Sequence, residues 1–268
     1  MAHVVVPEAE AILDQAFPVL DKGFVRLVDY LGSDERIVAA ARVSYGKGTK
    51  TVREDALLID YLMSHFHTSP FEQVVLTFHV KLPIFVARQW VRHRTARLNE
   101  ISGRYSVMKD EFYLPTPESL RTQSEVNKQG RSETTLSPGD ADAVVGALEE
   151  GQTEAYDRYE RALSTGLARE VARIGLPLSL YTEWYWQIDL SNLFRFLKLR
   201  LDSHAQWEIR EYAKVMATIT KTVAPMAYEA FERHWLHAVT LSREASEWLR
   251  ENLPGGEIPK ELREKLGK

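Results

Sequence analysis

The stretch Gln89-Trp90-Val91-Arg92-His93-Arg94-Thr95-Ala96-Arg97-Leu98-Asn99-Glu100-Ile101-Ser102-Gly103-Arg104-Tyr105 holds four arginines and a histidine between Arg92 and Arg104. A guanidinium is a planar fork of donors that matches phosphate. Ser102-Gly103 adds a hydroxyl and a turn where backbone N–H groups can approach an anion. Glu100, set among cations, can accept from a sugar hydroxyl or a base amide. If a helix from Pro83 runs through Arg92, Gln89 shares a face with Arg92 and His93. If Asn99–Tyr105 is extended, Glu100, Ser102 and Arg104 line one side. The plain alternative is a solvated basic helix end whose arginines complement the helix dipole. The Asn, Glu, Ser and Gly among the cations favour a nucleotide site, since an electrostatic patch does not need them.

The surrounding chain is acidic. Its 268 residues carry 34 Lys+Arg against 38 Asp+Glu, a net charge of -4. A generally cationic nucleic-acid binder is therefore disfavoured, and any anion site is a local cluster. With 44% hydrophobic and 27% charged residues, composition is that of a globular protein. There are 0 cysteines, which excludes disulfides, a thiolate nucleophile, iron–sulfur clusters and Cys-containing zinc sites. His65 and His67, or His234 and His237, lack an HExxH pattern or clustered acids, so no metal is expected. Met1–Glu10 does not read as a signal peptide, and no stretch approaches the roughly 20 apolar residues of a membrane helix. The expectation is a cytoplasmic protein with no membrane contact.

Several elements must position the cluster. Gly23–Leu31 reads as a strand, Ser33-Asp34-Glu35 as a helix start for 35–43, and Glu54–Phe66 as a helix. Val74–Leu82 alternates, with Val74, Leu76, Phe78, Val80 and Leu82 facing one way and Val75, Thr77, His79 and Lys81 the other. His79 reads as a strand-surface residue. Pro83 suits the first turn of the following helix. Lys109–Asp140, polar and rich in Pro, Ser, Thr and Gly, reads as a long surface loop. Ala141–Ile174 reads as mostly helical. Leu178–Ile188 is a strand with aromatics on both faces, predicted to be buried or at a subunit interface. Helices are predicted over Asn192–Leu201, His204–Val223 with Ser203 as N-cap, Pro225–Val239 and Ser242–Asn252, with a peripheral tail over 254–268. Helices outnumber strands without regular alternation, so the predicted class is α+β, in one domain spanning 1–268.

The cluster resembles a known signature. Arg92-His93-Arg94, Asn99-Glu100, Ser102 and Arg104-Tyr105 are similar to the RHRxxSxNExSxRY motif of flavin-dependent thymidylate synthases, the ThyX family, with Arg97 standing where the motif has Ser. His67-Thr68-Ser69-Pro70-Phe71-Glu72 resembles the family's H-x-T/S-P-F-E stretch. Ala41-Arg42-Val43-Ser44-Tyr45, Arg173-Ile174 with Leu176-Pro177, Tyr181-Thr182, and Leu199–Arg210 also look like family segments, in consistent order from Gly23 to Pro225.

That resemblance implies a mostly antiparallel or mixed sheet packed by helices, a homotetramer with shared sites, and conversion of dUMP to dTMP. The implied carbon donor is 5,10-methylenetetrahydrofolate, and FAD reduced by NADPH supplies the hydride. It implies flavin contacts at His67, Ser69, Arg92, His93, Arg94, Asn99, Glu100, Asp189, Leu190, Ser191 and Arg195. It implies dUMP contacts at Gln89, Trp90, Val91, Arg92, Glu100, Ile101, Ser102, Gly103, Arg104, Arg173 and Arg200. Arg200 is the match for the cation that activates the pyrimidine. The residues agree on one point: without cysteine, uracil cannot be activated by a thiolate adduct, and a fixed cation near N3 and O4 is an alternative. The bland reading of Arg200 is a pair with Asp202 or Glu208. Asp189 would repel phosphate but can bond a ribose or a flavin amide. Ser102 lacks the spacing of an activated nucleophile and reads as a ligand contact. Two other readings are an RNA- or nucleotide-binding module using Arg92–Arg104 and a flavoenzyme that methylates uracil in RNA.

Overall fold

The computed structural model describes residues 3–43, 51–126 and 128–252. In chain order the elements are α1 (Pro7–Glu10), β1 (Ala16–Val19), β2 (Gly23–Leu31), α2 (Asp34–Ala41), α3 (Val52–Ser64), β3 (Val75–Pro83), α4 (Ile84–Trp90), β4 (Ala96–Glu100), β5 (Arg121–Gln123), β6 (Arg131–Thr135), α5 (Pro138–Ser164), α6 (Arg169–Ala172), β7 (Tyr181–Asp189), α7 (Leu190–Arg200), α8 (Trp207–Val223), α9 (Pro225–Phe231) and α10 (Arg243–Asn252). A five-stranded sheet has the order β1-β2-β3-β7-β4, with every neighbouring pair antiparallel. The class is α+β, as predicted. No helix among the described residues is long and apolar enough to cross a membrane.

The alternation read in β3 sets the core. Val74, Leu76, Phe78, Val80 and Leu82 are fully buried beneath the helices. β7 answers with Trp184, Trp186 and Ile188 on the same side, while Tyr185 points the other way and is 44% exposed. On that second face His79 stacks on Tyr185 at 4.9 Å and bonds Arg26 and Glu183. It is thus half-buried in a polar cluster, more enclosed than a strand-surface residue. α8 runs through the core with Ile209, Tyr212, Ala213, Met216, Ile219 and Val223 buried at helical spacing. Tyr212 donates to the Lys81 carbonyl at 2.8 Å, and a Cβ on Gly23 would fall 2.0 Å from its hydroxyl, so only glycine fits there.

Several boundaries differ from the sequence reading. The 109–140 segment is not a plain loop. It contains the β5–β6 hairpin, and α5 begins inside it at Pro138, capped by Ser137. The long helix breaks at Thr165-Gly166, where Gly166 takes a left-handed φ of 83°. α7 starts at Leu190, because Asp189 is its cap. α8 starts at Trp207 with Gln206 at the cap position; Ser203 instead gives its carbonyl to Arg210. Pro83 ends β3 and precedes α4 as its N-cap. After Phe231 the chain widens into a π turn over Glu232–Leu236, so no helix reaches Val239. β1 and the Thr51–Glu54 capping box that opens α3 were not anticipated. The predicted tail 254–268, and Ser44 and Tyr45 of the N-terminal segment, lie outside the described residues.

One buried acid ties distant elements together. Asp34 accepts from the backbone N–H groups of Met226 (2.8 Å) and Ala227 (2.9 Å), satisfying the start of α9. Burial pushes its carboxyl up from the ordinary 3.8 to about 6, against the lowering effect of those two N–H groups. A raised folded-state value means stability that is full below the unfolded value and is lost as pH rises through about 6. Relative to Asp34→Asn, the native chain should therefore lose on the order of 2–3 kcal/mol between about pH 4 and pH 7. Urea unfolding at several pH values checks this; parallel curves for the two proteins would refute it.

Candidate active site

Trp90 determines where α4 stops. Its ring is fully buried, 5.6 Å from Trp184, 5.4 Å from Trp186, 4.8 Å from Phe196 and 6.0 Å from Tyr212. The helix ends at Trp90 instead of continuing through Arg92, and His93 N–H closes a turn onto the Trp90 carbonyl at 3.0 Å. A shared helical face for Gln89, Arg92 and His93 is thereby replaced by a turn. Arg92 and Arg94 point to solvent, and His93 turns inward with its ring edge on Phe196 at 4.8 Å. Trp90 cannot offer its ring to a nucleotide, and Val91 packs on the core.

Inward rotation brings His93 to Arg200, at the far end of α7. Arg200 Nε donates to His93 Nε2 at 3.0 Å, and its Nη2 donates to the Gln89 carbonyl at 3.1 Å. The bland pairings are absent: Asp202 bonds His204, and Glu208 bonds Arg131. Burial and then the Arg200 charge lower His93 to about 4, so at neutral pH its Nε2 is an acceptor and its proton sits on Nδ1. Burial also lowers Arg200. The guanidinium is held by two neutral acceptors, which leave its charge uncompensated.

Beyond the turn, β4 pairs with β7 from Ala96↔Ile188 to Glu100↔Trp184. Asn99 is exposed, and Glu100 accepts from Thr182 Oγ1 at 2.6 Å. The extended run ends there. Tyr105 and Ser106 N–H groups both bond the Ser102 carbonyl, at 3.0 and 3.1 Å, so Ser102–Ser106 is a turn. Glu100, Ser102 and Arg104 therefore do not line one strand face. Gly103 is buried in that turn; a Cβ would lie 2.8 Å from Met108 Sδ and 3.1 Å from Arg173 Cδ. Its bareness brings Arg173, seventy positions along the chain, against Ser102-Gly103-Arg104. Arg104 meets Glu170 at 3.2 Å, with both side chains exposed.

Ser191, at the start of α7, has a buried Oγ with no hydrogen-bond partner. It shares a crevice with His67, Thr68 and Phe194. His67 is placed by a Schellman turn: its N–H bonds the Leu62 carbonyl and that of Phe66 bonds Met63, with Phe66 at a left-handed φ of 58°. His65, not His67, bonds back into the helix through its ring, so the His67 ring is left exposed. Asp189 uses its carboxylate on Asn192, at 2.9 Å to N–H and 2.7 Å to Nδ2. Leu190 is core, and its N–H donates to the Val74 carbonyl. These two are thus structural at their side chains. Ser69 is exposed, and no described contact joins it to the other groups.

Among the described residues, Arg92, Arg94, Arg97, Arg173 and Arg195 have no carboxylate partner, although the chain is net acidic. The last turn of α4 itself holds Arg88, and Arg92 and Arg94 follow its cap residue Val91. An exposed guanidinium without a carboxylate is free to pair with an anionic ligand. The sequence reading gives no site role to Gln206, Glu208 or Arg131, which the structure links to Gln89 through hydrogen bonds. The signal available was the Ala205-Gln206-Trp207-Glu208 run, whose polar residues flank a helix start.

Comparison with known proteins identifies what the chain is similar to. Residues 26–226 match the family model described as "Thymidylate synthase complementing protein". A flavin-dependent thymidylate synthase of Treponema denticola is 61% identical over 243 residues, 91% of each chain. That of Thermus thermophilus is 63% identical over 226 residues, 84% of this chain and 82% of the other. The crystal structure of a UMP/dUMP methylase, PolB from Streptomyces cacaoi, bound with 5-Br dUMP, superposes with a TM-score of 0.74 at 34% identity, covering 82% of this chain and 99% of that one. With residues 26–226 matched by the family model and relatives 61% and 63% identical over most of both chains, the chain belongs to the flavin-dependent thymidylate synthase family.

Proposed function

We propose that this flavin-dependent methyltransferase makes dTMP from dUMP, with 5,10-methylenetetrahydrofolate as carbon donor and NADPH as reductant, as a cytoplasmic homotetramer. The observation that carries the reading is Arg200, held by His93 and the Gln89 carbonyl in a chain with 0 cysteines. The residues suit FAD. Arg92, Arg94 and Arg195 are unpaired cations for a pyrophosphate, and Ser191 Oγ is a buried group lacking a partner. Asn99, Ser69 and the exposed His67 ring complete the proposed flavin contacts. Bound FAD supplies the hydride chemistry that this chain's side chains cannot.

The remaining work falls to the protein. Ser102, the backbone of Ile101 and Gly103, Arg104 and Arg173 hold the dUMP phosphate, with Arg104 leaving Glu170 to do so. Glu100, aimed by Thr182, accepts from the sugar or base. Arg200 stabilises negative charge that develops at uracil N3 and O4, and its neutral acceptors do not cancel that charge. Tyr185 on the open sheet face supports subunit contact, as does α5, in which Ala141, Gln152 and Tyr159 alone are buried.

The purified protein should be yellow, bleach on adding NADPH, and form dTMP when given dUMP and the folate. A colourless protein that takes up neither flavin nor dUMP would refute the reading. Arg200→Ala should keep the flavin spectrum while turnover falls about 10²–10³-fold; unchanged turnover would remove Arg200 from activation. Arg104→Ala should weaken dUMP binding roughly 10-fold or more while flavin affinity is kept. Calorimetric titration with each ligand separates the two, and the opposite pattern would reassign Arg104.

A further inference from the structure

A chain of amides runs from the core to the nucleotide side of this site. Glu208, in the first turn of α8, is 5% exposed. Arg131, from the β5–β6 hairpin, donates through Nη2 to both of its oxygens at 2.6 Å, and Tyr113 donates its hydroxyl at 3.3 Å. Gln206 Nε2 donates to Glu208 Oε2 at 2.8 Å. Gln206 Oε1 in turn accepts from Gln89 Nε2. Gln89 is the residue whose carbonyl holds Arg200.

The direction of these bonds is forced. An ion-paired carboxylate only accepts, so it draws the NH₂ end of Gln206 and turns the oxygen end outward. That oxygen draws the NH₂ end of Gln89, which fixes the flip of the amide and leaves Oε1 with no partner in the chain, beside the one Nε2–H not given to Gln206. A lone amide can present either end to a ligand; an amide at the end of a chain anchored on a carboxylate cannot. The geometry points to Glu208, acting through Gln206, as a positioning residue that makes Gln89 Oε1 a dedicated acceptor for a hydrogen-bond donor of the bound nucleotide. On the nucleotide that donor is the uracil N3–H or the ribose 3′-hydroxyl. A site with a fixed acceptor discriminates against analogues lacking the donor. The inference rests on the reading of Gln89 as a dUMP contact.

The test is binding of dUMP, N3-methyl-dUMP and 2′,3′-dideoxy-UMP to the flavin-loaded protein, read by calorimetry, with the flavin spectrum as the check on folding. Native protein should bind dUMP at least about 10-fold more tightly than one of the two analogues, which identifies the donor. Gln89→Leu sets the gap that remains when the acceptor is gone. In Glu208→Gln, and in Gln206→Leu at an exposed position, the gap should shrink at least about threefold toward the Gln89→Leu value. A merely structural role would weaken all three ligands together and leave the gap unchanged in Glu208→Gln and Gln206→Leu, and that result overturns the inference. So does a native protein that distinguishes neither analogue. If native protein binds flavin but no dUMP, the nucleotide reading fails first and the inference falls with it.

Discussion

Burial of the Trp90 indole among Trp184, Trp186, Phe196 and Tyr212 is the constraint on which the site depends. One large ring locked into the sheet–helix interface ends α4 and forces the next residues into a turn. Aromatic side chains bury a large area in few rotatable bonds, so such a cluster is a rigid anchor. It lies between β7, α4, α7 and α8, and therefore holds all four at once. The Arg200–His93 contact follows from it: His93 and Arg200 sit at the ends of two elements whose bodies are pinned to the same cluster.

Charge is arranged around that anchor in two ways. Arg200 is half-buried and held by neutral acceptors, and partial burial lets solvent screen its charge less than at an exposed position. Arg92, Arg94, Arg97, Arg173 and Arg195 are at the surface without carboxylate partners, where they suit a polyanionic ligand. Acids of the elements that carry the site are engaged with other groups: Asp189 caps α7, Asp202 bonds His204 and Glu208 pairs with Arg131. Keeping these carboxylates engaged prevents them from neutralising the cations.

The β5–β6 hairpin shows how a segment poor in apolar residues can still be ordered. Its composition offered no periodicity, so it read as a loop. It is fastened by Arg131, which pairs with buried Glu208 and lies over the Trp207 ring at 5.7 Å. The partner is 77 positions away, as Glu208 minus Arg131 gives, and no local window contains both. The break near Gly166 and the late start of α8 were hidden for the same reason: side-chain competition for backbone groups decides ends, while periodicity reports only the bodies of helices.

By itself, the sequence determined the α+β class, the alternation of β3, the absence of thiol chemistry and the Arg-rich segment with its family signature. These are local properties: period, residue type and fixed spacing survive without knowledge of contacts. Tertiary structure decided which face of that segment matters. It turned His93 inward and Arg92 and Arg94 outward, withdrew Trp90, Leu190 and the Asp189 carboxylate into structural roles, and bent Ser102–Arg104 into a turn. It also set Arg173 against Gly103 and joined Glu208 to Gln89 through Gln206. Each of these outcomes depends on burial and hydrogen-bond partners contributed by residues far away in the chain, and such partners become neighbours only when the sheet and its helices close on one another.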